Sequence, residues 1–111
     1  MFFFNFLIFN SKFFIKFYEK DILNGLDVIN QPKPQSYIKT FEPTDNPDTD
    51  GWLECGLIAQ EVLKIPELVH AVTLPKDADD LYALNYGQII PFLISVVKEL
   101  SNRIVILEQK Q

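Results

Sequence analysis

The single histidine of this chain, His70, is the one residue around which a Ser-His-Asp triad could be built, and the single cysteine, Cys55, is its one thiol. One cysteine excludes an intramolecular disulfide and a cysteine-rich zinc site. His70 alternates with Val69 and Ala71 inside the apolar run LVHAVTL, a pattern that reads as a structural or surface histidine on a strand. Cys55 beside Gly56 reads as a small buried hydrophobe. The acids Asp45, Asp48 and Asp50 in EPTDNPDTDG invite a calcium site, but they lack the alternating order and the distal glutamate of an EF-hand loop. Two prolines, four acids and a closing glycine describe a solvated hairpin loop instead. Neither metal nor cofactor is expected.

Composition narrows the partners. The 111 residues allow one domain with a modest core, and the net charge is −5. The cations are scattered singly, which argues against a nucleic-acid backbone as a partner. Met1 to Phe9 (MFFFNFLIF) is apolar but about half the ~20 residues a membrane-spanning helix needs, and Lys12 and Lys16 follow at once. It lacks the basic start and small-residue cleavage site of a secretory leader. A membrane partner is therefore not expected, and a small membrane-surface protein is the weakest of the readings. Eight of the ten phenylalanines lie before residue 18, so this end is unlike the rest; residues 1–10 are read as an apolar remnant or tail and residues 11–111 as the domain.

The elements that must position any site follow from periodicity. Ile22, Leu26 and Ile29 share a helical face, so a short helix is expected around Leu23 to Asn30, weakened by Gly25 and stopped by Gln31-Pro32-Lys33-Pro34. Ser36 to Phe41 and Trp52 to Ile58 read as strands on either side of the acidic loop, and Ala59 to Leu63 as a short helix ending at Ile65-Pro66. Leu68 to Leu74 reads as a third strand, Pro75 to Asp80 as a turn and Leu81 to Leu84 as a short fourth strand. Asn85 is expected to cap a long helix, with Gln88 as its capping-box partner and Pro91 tolerated near the start. The expected class is α+β: one small sheet, short helices and a long C-terminal helix.

That helix carries the strongest pattern in the chain. Ile90, Leu93, Val97, Leu100, Ile104 and Leu107 alternate spacings of three and four, an a/d repeat with a period near 3.5. A domain this small has little body with which to cover such a seam, so the seam is expected to meet copies of itself. β-branched residues at a with Leu at d favour a dimer, whereas extra apolar residues such as Ile94, Val105 and Ile106 widen the stripe towards a trimer or towards packing on a globular body.

Several stretches carry more than periodicity. Gly56-Leu57-Ile58-Ala59-Gln60-Glu61-Val62 followed by Ile65-Pro66-Glu67-Leu68-Val69 resembles the GFIAQEV…PELV signature of the peptidase S74 domain. Leu84-Asn85-Tyr86 with Ile90-Pro91 and Lys98-Glu99-Leu100 looks like that family's VDY…L-P-L…KEL helix. Leu26-Asp27-Val28-Ile29-Asn30 with Lys33-Pro34 and Tyr37 looks like its ALDIINKLKP…Y segment. The resemblance covers about Ser11 to Gln111. It implies the C-terminal intramolecular chaperone of phage tailspikes, endosialidases and fibres: a homotrimer through the C-terminal helix, acting on an attached or separate β-rich passenger, with assembly in the host cytoplasm if the source is viral.

The family's opening motif, SDxRLK, pairs a serine with a lysine, and Ser11 and Lys16 stand at that spacing here. The resemblance implies self-cleavage just before Ser11, with Ser11 as nucleophile and Lys16 as its base. A serine hydroxyl attacks only once a base takes its proton, and lysine serves only as a neutral amine, which burial among neighbours such as Phe13, Phe14, Ile15 and Phe17 would favour. Lys12 stands at the motif's Asp, Phe14 at its Arg, and Phe17-Tyr18-Glu19 replaces the usual polar-polar-Ile. Two functions thus stay open: a self-cleaving chaperone domain, or the same fold as a catalytically silent oligomerisation module. Ten residues precede Ser11, so the first reading takes the chain as a detached domain, a fragment or a chaperone in trans.

Overall fold

A computed structural model describes residues 15–110. Helix α1 spans Gly25–Ile29 and ends ahead of Pro32, whose ring and missing N–H admit no further turn. Strand β1 (Gln35–Lys39) pairs antiparallel with β2 (Trp52–Gly56), with Tyr37 opposite Glu54 and Lys39 opposite Trp52. Between them the acidic stretch is not wholly irregular. Pro47–Asp50 forms one helical turn, α2, with Pro47 at its first position, where no N–H is required. The Thr44 hydroxyl closes that loop by donating to Asp50 and accepting from the Asn46 N–H at 3.0 Å. Helix α3 is Ala59–Val62, and a 3₁₀ helix over Pro66–Ala71 leads into β3, Val72–Thr73. Strand β4 (Ala83–Leu84) pairs antiparallel with β3, and a 3₁₀ turn over Tyr86–Gln88 opens into the 20-residue helix α4, Ile90–Gln109.

The class is α+β, as expected, but the sheet is not one. Two separate two-stranded sheets, β1–β2 and β3–β4, stand where a single sheet was expected. The third strand is also mostly replaced, because residues Pro66–Ala71 are 3₁₀ helix. Pro66 fits the first position of such a turn. The spacing of three that follows sends Ile65, Leu68 and Ala71 together into the core. A strand would instead have put Leu68, His70 and Val72 on one face and carried an imidazole inwards. The 3₁₀ turn leaves His70 exposed, its ring 6.4 Å from that of Phe92.

The core is small. Val28, Val62, Ile65, Leu68, Ala71, Ile89 and Phe92 form one cluster, with Ile22, Ile29, Leu57, Val72 and Leu84 packed at its edge. Each fully buried aliphatic side chain contributes about 1.5–3 kcal/mol of transfer free energy. Helix α1 lies directly on α4. A Cβ on Gly25 would sit 2.9 Å from Ser95 Oγ and 3.2 Å from the Phe92 carbonyl, so the residue that weakens α1 as a helix is what lets the two helices touch. The Ser95 hydroxyl donates to the Ile22 carbonyl at 3.0 Å and ties the chain ahead of α1 to the middle of α4.

The start of α4 differs in detail from the sequence reading. Asn85 does cap, its Oδ1 accepting the Gly87 N–H at 2.9 Å, but the turn it caps is the 3₁₀ turn before α4. The reciprocal bond from Gln88 is absent among the described residues. At ~1.5 Å per residue α4 is about 30 Å long, somewhat shorter than a helix counted from Tyr86 to the end.

Candidate functional site

Two faces of α4 are apolar and only one is used by its own chain. Phe92 and Val96 are buried against the body, together with Ile89 just before the helix. The a/d residues are not: Val97 is 66% exposed, Ile104 56% and Leu107 60%, and Ile90, Leu93 and Leu100 are also exposed. At 3.6 residues per turn, the seam points about a quarter turn away from the buried stripe. The helix therefore presents a continuous apolar ridge, which Ile94, Val105 and Ile106 widen.

The residues of the expected dyad are only partly described. Ser11 lies outside the described residues, as do Phe13 and Phe14. Lys16 is exposed, and so are its neighbours, Ile15 at 70% and Phe17 at 74%. Among the described residues, Lys16 is thus not enclosed by apolar side chains. The backbone reverses at Tyr18, whose φ of 59° lies in the left-handed region, where a bulky residue is a true outlier. From there the arm runs to Ile22, whose carbonyl is held by Ser95 on α4. The chain after Lys16 is thereby tied at Ile22 to the helix that carries the seam, through Ser95, which lies two residues from the seam positions Leu93 and Val97 and on the side of the helix away from them.

The stretches that looked like family motifs converge on structure. Gly56 closes β2 where a Cβ would clash with Tyr86 Oη and meet Tyr37 Oη at 2.9 Å. The Tyr86 hydroxyl in turn accepts the Leu57 N–H at 2.8 Å. Val62, Ile65 and Leu68, from the same stretch, enter the core with Val28 from the upstream segment and Phe92 from α4. Asn24 donates to Glu67 at 3.3 Å across the surface of this junction.

An open groove of about 800 Å³ runs between the two sheets, lined by Tyr37, Lys39, Glu54, Leu81, Tyr82 and Tyr86 among others. Within it the Tyr37 hydroxyl donates to Glu54 Oε2 at 3.0 Å, and Lys39 Nζ lies 3.4 Å from the same oxygen. The Tyr37 bond, with help from Lys39, holds the Glu54 carboxyl below the usual carboxylate range, and the same bond pushes the Tyr37 phenol up. This trio satisfies itself and leaves no group poised as a nucleophile. The sequence reading missed it, although strand alternation put Tyr37 and Lys39 on one face.

Cys55 corrects an expectation, because it is exposed on β2 rather than buried. Among the described residues the hairpin is a sheet of two strands only, and three of the five positions of β2 are exposed. Among the described residues, no group of three or more His, Cys, Asp and Glu side chains could hold a metal ion. No described helix is long and apolar enough to cross a membrane. No protein-family model matches this chain, and no curated protein does.

Proposed function

We propose that this chain is a self-assembling module that forms a homotrimer through α4, in the manner the peptidase S74 resemblance implies. The observation that carries the reading is the exposed a/d ridge, distinct from the stripe that α4 buries against its own body. The accessible surface supports it: 9745 Å², against about 6300 Å² for a compact monomer of 12.9 kDa. The radius of gyration is 19.7 Å, where a compact domain of about 100 residues has ~13 Å. A large surface over a small core supports a reading in which neighbouring copies cover part of it. In function, the trimer acts as a C-terminal chaperone for a β-rich fibre passenger. Bringing three chains together raises their effective concentration and lowers the entropic cost of non-local strand pairing. Sedimentation of the purified chain tests the reading: a trimer is expected, and a monomer at every concentration would end it.

The second part of the proposal is self-cleavage before Ser11, with Lys16 as base. Burial of Lys16 then comes from neighbouring copies, since its own chain leaves it exposed. The tie between Ile22 and Ser95 of α4, six residues after Lys16, is compatible with that burial. The exposure of Lys16 equally favours a second reading, in which the same trimer is a silent oligomerisation module. Mass spectrometry of a fusion with a fibre passenger separates the two. Cleavage between Asn10 and Ser11 that is lost in both Ser11→Ala and Lys16→Ala, with the trimer intact, supports the enzyme; an uncut fusion supports the silent module.

A further inference from the structure

The heptad frame that puts Ile90, Val97 and Ile104 at a, with Leu93, Leu100 and Leu107 at d, also decides which residues flank the seam. Arg103 falls at g, and Glu108, five residues on, at the following e. In a parallel, in-register coiled coil, a g residue faces the next e residue of the neighbouring helix, and charges there set orientation and partner choice. We propose that α4 assembles parallel and in register with copies of itself, Arg103 of each copy pairing with Glu108 of the next. The inference rests on the self-assembly reading above and adds the orientation and the residues that select it.

The single chain shows both groups ready for that exchange. Arg103 is exposed and contacts Glu99 of its own helix, one turn back. A surface pair of this i,i+4 kind is weak enough to be given up or shared. Glu108 is exposed and makes no ion pair among the described residues. At the preceding rung Val96 is buried against its own chain and Ser101 is uncharged, so no charge there opposes the pairing. An antiparallel arrangement would instead set g against g and e against e. Arg103 would then meet Lys110, a second Arg103 or the g position that Val96 leaves covered by its own chain, and Glu108 would meet Ile94, Ser101 or a second Glu108. Every such pairing is neutral or repulsive, so charge complementarity selects one orientation.

Sedimentation equilibrium of the parent, Arg103→Glu, Glu108→Arg and the doubly swapped variant tests the pairing. All the altered side chains are exposed in the single chain, so the fold is not at stake. Each single change should weaken association about tenfold or more, because three symmetric pairs become repulsive together, and the double swap should recover most of that loss. Glu99→Gln, which removes the intrahelical contact alone, should leave association unchanged. If the parent assembles but the double swap recovers nothing, the Arg103–Glu108 pairing is wrong while the trimer stands. A Glu99→Gln loss as large as that of Arg103→Glu would also overturn it, by showing that Arg103 acts within its own helix. A monomeric parent removes the self-assembly reading itself.

Discussion

The Tyr86 hydroxyl occupies the space that a Cβ on Gly56 would fill, and from there it accepts the Leu57 N–H at 2.8 Å. This contact latches the entry to α4 against the end of the β1–β2 hairpin. Tyr86→Phe keeps the ring and leaves the Leu57 N–H without its acceptor, for a loss of about 1 kcal/mol. Gly56→Ala displaces the whole side chain and should cost more, about 2 kcal/mol. Urea unfolding of the two variants gives the order; Gly56→Ala milder than Tyr86→Phe would refute the latch.

Gly25 offers a test in which two effects have opposite signs. Alanine favours a helix over glycine by up to ~1 kcal/mol, so propensity alone predicts that Gly25→Ala stabilises. The contact with Ser95 Oγ and the Phe92 carbonyl predicts the reverse, because the added Cβ pushes α1 off α4. Packing should win, with a net loss of about 1–2 kcal/mol in thermal or denaturant unfolding.

The ridge on α4 predicts that Val97→Asp with Ile104→Asp yields monomers that stay folded. Both side chains are exposed in the single chain, so the charges meet water there and become buried only in the assembly. Circular dichroism should keep its helical signal while sedimentation shifts to the monomer mass. A double variant that sediments like an oligomeric parent would place the interface elsewhere.

The Tyr37–Glu54 pair predicts a pH dependence with a definite sign. The folded-state pKa of Glu54 lies below its ordinary value of 4.5, so its contribution is present above that pH and fades as the pH falls through the folded value. For Tyr37 the folded value lies above its ordinary 10.0, so its contribution is present below pH 10.0 and fades as the pH rises past it. Glu54→Gln should flatten the acid side of the stability curve and leave the neutral plateau's shape unchanged. An unaltered acid side would mean that other carboxylates carry it.

Should the fusion remain uncut, Lys12 and Phe14 are the first residues to change. Restoring Asp and Arg at those positions returns the acid and the cation of the SDxRLK pattern. Cleavage that appears only in the restored version would assign the loss to those two positions. If the restored fusion also stays whole, Ser11 and Lys16 are not a dyad.

What the sequence determined by itself is what depends on neighbours along the chain. The three-four spacing from Ile90 to Leu107 specifies an amphipathic helix, Pro32 and Pro66 mark where elements end or restart, and Asn85 announces a cap, because each acts within a turn or two of backbone. The hairpin of β1 and β2 was legible for the same reason, as two strand-like runs on either side of a proline-rich loop. Tertiary structure decided the rest. Periodicity shows that α4 has apolar faces, but only the position of the body reveals that Phe92 and Val96 are covered while Val97 and Ile104 are not. The run LVHAVTL carried a strand's composition, yet burying Leu68 and Ala71 together required a 3₁₀ turn, a choice made by the core they enter. Gly25 and Gly56 looked like weaknesses or punctuation, and their purpose appears only with Ser95 and Tyr86 lying against them across dozens of residues. Such contacts arise from side chains distant in sequence, and no local spacing encodes them.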